Sequence, residues 1–388
     1  MKRGVATFTL DTGHCPPWLF ERMVALGREI VYVLVDEYGS DEFVKRIADP
    51  VWFQSLGTVL AFDWNASGLT TILTAALKEA IRGDEKNLGI FICGGKGKTS
   101  RKTPDEIATW GQRLSLPDVQ TKNLSYSSKM AAKVDSSLVQ DGYQIYHHAF
   151  IFSRNGAWAV VQQGMNVKSS SARRYHWYDE LKLKSFVEEP HAGIASQAFE
   201  KNVLNLVAKK SRKNKDIATD LVSSGYSTLM KDIDIVRRHS SRLSQMASFK
   251  FKKEPNEQLT LLQLNDINFK THPILSSDFS KSRYLEKILQ KVTYEKPKTY
   301  EEFLATEGVG PKTVRALSLV SEVIYGADPS YEDPARYSFA HGGKDAIPYP
   351  VDRVSYDKTI TLLEKGVRRA KISIFEKEKA LRRLRFLG

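Results

Sequence analysis

A set of carboxylate and imidazole side chains in the first half of the chain could hold a divalent metal. Asp63, Asp135 and Asp141 offer carboxylates, and His147 offers a ring nitrogen. Oxygen-rich sets of this kind suit Mg²⁺ or Mn²⁺. A metal bound there could activate water and stabilise the phosphorus centre of a phosphodiester during cleavage. A hydrogen-bonded polar core without chemistry is the alternative, and it remains open.

Further polar residues accompany this set and complete a candidate catalytic cluster. Lys133 or Arg173 would balance the charge of a phosphate, and two histidines and two glutamines follow on one predicted hairpin. That is more polarity than packing would select, because each buried polar group needs a partner. The candidate catalytic residues are Asp63, Lys133, Asp135, Asp141, His147, His148, Gln162 and Gln163.

A glycine-containing turn in the last third of the chain could hold a nucleic-acid backbone. Residues 299–325 have the pattern of two short helices joined by a turn at Gly308 and Gly310, with a proline suited to open the second helix. The first amides of that helix could receive a phosphate oxygen. The stretch resembles the helix-hairpin-helix motif of DNA repair enzymes, polymerases and ligases. The residues predicted to contact the backbone are Gly308, Gly310, Lys312, Thr313 and Arg315.

A second glycine-rich stretch begins at Gly94, directly after a predicted buried strand. It lacks the spacing of a nucleotide-triphosphate loop, so a triphosphatase is not expected. A phosphate clamp and a flexible basic loop are both compatible with it. Its candidate contacts are Lys96, Lys98 and Arg101, and Arg173 and Arg174 are added from the segment Arg173–Trp177.

Lys312 and Asp352 suggest another chemistry. Bifunctional DNA glycosylases carry a lysine and an aspartate in similar contexts, which would make Lys312 a Schiff-base nucleophile. The two residues are 352 − 312 = 40 positions apart here, farther than that superfamily's compact spacing. Lys312 as a phosphate contact and Asp352 as a helix cap are the simpler interpretation.

The elements that would position these residues alternate between helix and strand in residues 1–185. Helices are predicted over 16–35, 41–47 and 68–81, and buried strands over 57–64 and 88–93. Residues 143–153 and 157–165 predict a hairpin with a two-residue Asn155-Gly156 turn. That register pairs His148 with Gln163 and puts His147 and Gln162 on one face.

We therefore expect an α/β N-terminal domain with a mixed sheet, a basic helical middle and an all-α helix-hairpin-helix C-terminal domain. The predicted boundaries are 1–185, 186–268 and 269–388, with a linker near 249–264. The chain has 388 residues, enough for more than one folded unit.

Composition narrows the class of protein. Lys and Arg number 58 against 45 Asp and Glu, a net charge of +13 that favours a polyanionic partner. Two cysteines are too few for a disulfide framework and fit a reducing compartment. No membrane-length apolar run or signal peptide is visible, so a cytoplasmic protein without a membrane partner is expected.

The chain is also identified as resembling the domain of unknown function 763 family of archaea and some bacteria. The resemblance covers nearly the full length and implies a DNA-related role, that of a repair nuclease. This chain departs from the family pattern at Asn65-Ala66, where His-Ser is expected. The matching segments are 52–57, 62–71, 93–104, 133–165, 173–177 and 308–353.

These observations predict a DNA-binding, divalent-metal-dependent nuclease in repair, acting on single-stranded or structured DNA. The alternatives are a DNA glycosylase/lyase using Lys312 and Asp352 and a non-enzymatic DNA-binding protein. A homo-oligomer remains open.

Overall fold

The computed structural model describes residues 15–60, 67–179, 183–196, 199–201, 203–240, 282–335, 337–338, 353–370 and 373–385. The helices are α1 (Pro17–Tyr38), α2 (Ser40–Ala48), α3 (Pro50–Val59), α4 (Gly68–Ala80), α5 (Glu85–Leu88), α6 (Thr103–Arg113), α7 (Asp118–Ser137), α8 (Arg212–Ser223), α9 (Tyr226–Ser240), α10 (Arg283–Glu295), α11 (Tyr300–Ala305), α12 (Pro311–Val323), α13 (Arg353–Arg369) and α14 (Ile374–Arg385). The strands are β1 (Ile90–Lys96), β2 (Val139–Gln140), β3 (Gln144–Ser153), β4 (Trp158–Asn166), β5 (Ser171–Asp179), β6 (His191–Ser196), β7 (Leu204–Asn205) and β8 (Tyr337–Ser338).

The centre of the protein is a six-stranded sheet in the order β1-β3-β4-β5-β6-β8. Neighbouring strands are antiparallel except for β6 and β8, which are parallel. The expected α/β region with a mixed sheet is therefore confirmed. β2 and β7 form a separate two-stranded ribbon.

Helices cover both faces of this sheet. Phe150, Val160 and Trp177 point into a core shared with α6–α8 and α10–α12, on what we call the α7 face. Ile151 and Val161 point the other way, into a core shared with α1–α4, α13 and α14, which we call the α4 face. A strand buried on both sides needs apolar residues at successive positions, and the unbroken apolar start of β4 meets that requirement.

The hairpin of β3 and β4 is confirmed, but its predicted register is wrong by one residue. The Ser153 amide donates to the Ala157 carbonyl at 2.8 Å, so the connecting loop has three residues, Arg154 to Gly156. His148 therefore pairs with Gln162, and His147 pairs with Gln163. Because strand side chains alternate, this single-residue shift exchanges the faces of one partner in each predicted pair.

The strand predicted over 57–64 is also wrong, since residues up to Val59 belong to α3. The Asp49 side chain accepts from the Val51 and Trp52 amides at 2.7 and 3.0 Å, and Pro50 occupies the first helical turn. This cap fixes the start of the helix. Apolar periodicity alone does not separate a buried helix from a buried strand.

The predicted helices over 16–35, 41–47 and 68–81 correspond to α1, α2 and α4, and the strand over 88–93 corresponds to β1. The predicted linker 249–264 lies outside the described residues. No helix in the described ranges has both the length and the apolar character needed to cross a lipid bilayer.

Close packing at Gly94 in β1 generates a stability prediction. Gly94 has φ +85°, and a Cβ there would lie 2.3 Å from the His148 carbonyl oxygen. Gly83 has a similar φ of +89° with no atom within 4 Å of such a Cβ. Gly83→Ala should cost about 1–2 kcal/mol for the left-handed backbone alone. Gly94→Ala should cost a further ~1–3 kcal/mol of overpacking. Urea unfolding of both variants measures the difference. An equal decrease in the free energy of unfolding for the two variants would contradict close packing at Gly94.

Candidate functional site

Asp135 lies on the inner side of α7 and is completely enclosed. Its Oδ2 accepts from Gln162 Nε2 at 2.5 Å and from Trp177 Nε1 at 2.9 Å, while Oδ1 accepts from His191 Nε2 at 2.5 Å. Three protein donors therefore occupy the carboxylate, and these donors come from β4, β5 and β6. The arrangement ties α7 to the sheet.

The same network continues through His148. Its Nδ1 lies 2.9 Å from Gln162 Oε1, and its Nε2 lies 2.9 Å from Ser128 Oγ. Gln162 must present its amide N–H groups to the acceptor-only carboxylate of Asp135, so its oxygen faces the histidine. We therefore assign the proton to Nδ1, leaving Nε2 to accept from Ser128. Burial lowers the pKa of His148, which keeps the ring neutral.

Asp141 belongs to a second enclosed group on the α7 face. Its carboxylate accepts from Arg173 Nη1 at 2.9 Å, from the Tyr175 hydroxyl at 2.6 Å and from the Tyr143 amide at 3.0 Å. Arg173 also contacts Asp333, with Nη2 to Oδ2 at 2.7 Å. Burial raises the pKa of Asp141, and Arg173 opposes that rise. Arg173 is fully buried, so its guanidinium holds two carboxylates inside the protein and does not reach a surface phosphate.

His147 and Gln163 lie opposite each other on the α4 face, and their polar groups are not all satisfied. His147 Nε2 is 3.2 Å from Thr74 Oγ1, and Gln163 Nε2 donates to the Ser67 carbonyl at 2.7 Å and to the Tyr146 hydroxyl at 2.5 Å. Among the described residues, His147 Nδ1 and Gln163 Oε1 have no hydrogen-bond partner. Burial, then His148, lowers the pKa of His147 to about 3, so its ring is neutral.

Arg174 is buried on the same face as His147. Its Nε donates to His176 Nε2 at 2.8 Å, its Nη2 donates to Gln54 Oε1 at 3.1 Å, and its guanidinium lies 4.6 Å from the centre of the Phe53 ring. Burial lowers the pKa of Arg174 to about 9, which still leaves it charged at neutral pH. Like Arg173, it forms hydrogen bonds inside the protein and has no exposed surface for direct contact with nucleic acid.

The glycine-rich stretch forms the end of β1 and a 3₁₀ turn, Gly97–Lys102. The Gly94 amide donates to Glu106 Oε2 at 3.0 Å. A carboxylate of the protein therefore already occupies an amide that a phosphate clamp would use. Lys96 at the end of β1 is exposed, as are Lys98 and Arg101 on the turn. Lys96 pairs with His147 in the register of β1 and β3, which puts a cation beside the α4-face residues.

The turn between α11 and α12, residues 306–310, is shaped by a glycine. Gly308 has φ +92°, and a Cβ there would lie 2.3 Å from Ile288 Cδ1 of α10. Gly310 is the extended N-cap of α12, and no atom lies within 4 Å of the position its Cβ would take. Lys312 is exposed, whereas Thr313 is buried. The approach to the start of α12 is therefore open.

Arg315 and Lys133 hold the surroundings of this turn in place. Arg315 Nε donates to Gln140 Oε1 at 2.5 Å, and Gln140 Nε2 donates to the Pro311 carbonyl at 3.0 Å. Lys133 Nζ donates to the Thr306 carbonyl at 2.6 Å. Lys133 therefore faces the turn and not the Asp135 network. Two positions separate these residues on α7, a rotation of about 200° around a helix.

The structure does not bring together Asp135, Asp141 and His147, the three predicted metal ligands within the described residues. Asp135 and His147 lie on opposite faces of the sheet, and Asp141 is in its own network with Arg173. Asp63, like Asp352, lies outside the described residues. In the described ranges, no group of three or more His, Cys, Asp or Glu side chains is placed to hold a metal ion.

Comparison with known proteins places the chain in a family. Residues 4–351 match the model of the family described as "Protein of unknown function (DUF763)". The chain belongs to that family. No curated protein and no solved structure matches it. The resemblance recognised in the sequence is thereby confirmed, and functional inference has to come from the residues themselves.

Sequence reasoning missed several partners of the predicted residues. Ser128 and His191 complete the Asp135 network, Asp333 completes the Asp141 network, and Thr74 and Tyr146 complete the α4-face pair. Asp333 is 160 positions from Arg173 along the chain, so no local pattern indicates that pairing. Thr74 could have been identified from the sequence, since it lies on the buried side of the predicted helix 68–81.

The lowered pKa of His147 predicts a pH dependence of stability. The folded ring stays neutral down to about pH 3, whereas an unfolded histidine takes up a proton below about pH 6.5. Stability from this residue is therefore complete above that unfolded pKa and is lost as pH falls. When the pH is lowered from about 7.5 to about 5, protonation of this histidine in the unfolded chain should reduce the free energy of unfolding by ~2 kcal/mol.

Denaturant unfolding at these two pH values tests this. His147→Gln should reduce the pH difference by that amount. Thr74→Val removes the hydrogen-bond partner without removing the titrating group, so it should leave the difference unchanged. An unaltered pH difference in His147→Gln would show that this ring titrates normally.

Proposed function

We propose that this protein binds DNA by its phosphate backbone, at the turn between α11 and α12. The observation that carries the proposal is the open N-terminus of the 13-residue helix α12, which has an extended glycine cap, no side-chain cap and an exposed Lys312 beside it. The sequence Gly308 to Thr313 resembles the helix-hairpin-helix motif, and the geometry is compatible with that role.

The physical basis is the set of amides in the first helical turn. These groups have no intrahelical partner and lie at the positive end of the helix dipole, so they favour an anion. Pro311 has no N–H, which leaves the amides of Lys312 and the following residue as donors. Gly310 lets an oxygen approach without meeting a side chain. Contacts of this type position a backbone without reading its sequence.

Charge supports the same partner. The net charge of +13 favours a polyanion, and Lys129, Lys133 and Lys291 lie close to the turn in addition to Lys312. The expected ligand is single-stranded or structured DNA in a repair process. Arg315 does not contact DNA in this proposal. It binds Gln140, which donates to the Pro311 carbonyl, and so acts as a positioning residue for the start of α12.

Replacing Lys312 should weaken DNA binding. Lys312→Ala should lower affinity several-fold and reduce the slope of log affinity against log salt by about 0.7–0.9, the loss of one phosphate contact. Fluorescence anisotropy with a labelled oligonucleotide over a salt series measures both quantities. Lys86→Ala, at an exposed lysine on α5, is the matched control and should have no effect. Equal binding by all three proteins would exclude the turn as the contact.

A second function, divalent-metal-dependent phosphodiester hydrolysis, is favoured by the unsatisfied atoms on the α4 face. His147 and Gln163 pair across β3 and β4, their buried Nδ1 and Oε1 atoms have no partner in the part of the chain that the structure describes, and both atoms can coordinate a cation. Asp135 and Asp141 do not fit, because protein donors occupy their carboxylates.

In this proposal, a bound Mg²⁺ or Mn²⁺ would supply Lewis-acid stabilisation and an activated water. His147 and Gln163 would hold it together with Asp63, which lies four positions before Ser67 in the sequence; the Ser67 carbonyl accepts from Gln163. Neutral His147 keeps a lone pair available at ordinary pH. Lys96, exposed on the adjacent strand, would balance charge on the scissile phosphate.

Cleavage assays separate hydrolysis from binding. The wild-type protein should cut labelled DNA with Mg²⁺ or Mn²⁺ and not with EDTA. Asp63→Ala and His147→Gln should lower the rate at least about tenfold, with DNA affinity unchanged and Lys86→Ala as the active control. If no substrate is cut, or if both variants retain full rates, the α4 face is structural and the protein is a binding protein only.

A further inference from the structure

A cleft of about 680 Å³ lies between α7 and the turn of residues 306–310. We call it the α7–turn cleft. Residues of α7 form one wall, the turn forms another, and α10 contributes a tyrosine. The residues that matter for its chemistry are Tyr126, Lys129, Lys133, Tyr284, Glu307 and Gly308.

Two aromatic rings line this cleft and are held by their hydroxyl groups. Tyr284 is 61% exposed, and its hydroxyl donates to the Gly308 carbonyl at 3.3 Å. Tyr126 is 39% exposed, and its hydroxyl donates to Glu301 Oε1 at 2.8 Å. The Tyr126 ring also packs edge-on against Phe186, with 5.6 Å between ring centres. Both rings are thus oriented before any ligand binds, which lowers the entropy cost of stacking on them.

The cleft combines these rings with positive charge. Lys133 is half-buried at the turn, and desolvation, then Lys291, lowers its pKa. Lys129 lies one helical turn away on the same side of α7. Glu307 is the acidic member of the lining, and its carboxylate pairs with Lys291 at 3.6 Å. Aromatic faces beside lysines form the combination that accommodates a base together with its phosphate.

We propose that the α7–turn cleft receives an unpaired nucleotide of a single DNA strand, with the base against Tyr284 and Tyr126 and the phosphate at the start of α12. This rests on the proposed DNA binding and names its substrate class. A base within a duplex is stacked on its neighbours and presents no free face, whereas every unpaired base has one. The protein should therefore prefer strands with accessible bases over continuous duplex.

The first experiment compares DNA strands with and without bases. A labelled thymidine oligonucleotide is titrated by anisotropy against an oligonucleotide of equal length built from abasic units. Wild-type protein should bind the base-containing strand about five- to 150-fold more tightly, the range expected for one stacked base. Equal affinity for both strands, with the Lys312 dependence intact, would overturn the cleft proposal alone. Failure to bind either strand or duplex would instead overturn the proposed function.

Variants of Tyr284 locate the effect. Tyr284→Ala should abolish most of the preference for bases while leaving abasic binding unchanged. Tyr284→Phe keeps the ring and loses only the hydrogen bond to Gly308, so it should retain most of the preference. Tyr294→Ala, at an 87% exposed tyrosine of the same helix, is the matched control and should behave like wild type. A Tyr284→Ala protein with the full preference would exclude this ring.

Photo-cross-linking gives an independent position. Single-stranded DNA containing 5-iodouracil, irradiated in complex with the full chain, should attach to Tyr284 or Tyr126, as read by mass spectrometry of the peptides. Attachment confined to residues outside the cleft would show that bases bind elsewhere and would overturn the proposal.

Discussion

The constraint on which the rest of this structure depends is the burial of both faces of the central sheet. Helices cover each side, so a polar side chain in the buried middle of β3, β4 or β5 must find a partner inside the protein. On the α7 face, Gln162, Arg173 and Tyr175 find such partners in the carboxylates of Asp135 and Asp141. On the α4 face, His147 Nδ1 and Gln163 Oε1 have no partner within the described ranges. The two faces of one hairpin therefore differ chemically: the α7-face carboxylates are occupied by protein donors, whereas the α4 face has two atoms that could bind a ligand.

The polar residues of the hairpin could be recognised from sequence, but their partners depended on the length of one turn. Asn155-Gly156 is the preferred pair for a two-residue loop, and that rule gave pairings one residue out of register. The fold uses Arg154 as a third loop residue, which separates His147 from Gln162. Local turn preference was outweighed by the burial of β3 and β4, whose alternating side chains must fit two cores at once.

Three of the seven helices described between residues 15 and 137, α1, α2 and α4, were predicted from their amphipathic spacing. α3 was not, since its residues are buried on nearly all sides and therefore carry no periodic signal. The separation of Lys133 from Asp135 could have been inferred from helical geometry, given the length of α7. The partnership of Arg173 with Asp333 could not, because it joins segments that only the complete fold brings together.

The helix α7 has a double attachment with a mechanical consequence. Its inner side binds the sheet through Asp135. Lys133 on α7 and Gln140 on β2, the strand that follows α7, donate to the carbonyls of Thr306 and Pro311 on either side of the turn. The turn is thus fixed to the elements that pack on the sheet, and displacing it would break the hydrogen bonds from Lys133 and Gln140. A molecule that bound at the turn would therefore have to adjust its own shape to it. A stiff duplex has little capacity for such bending over a few nucleotides, whereas a single strand can follow a fixed surface at little elastic cost.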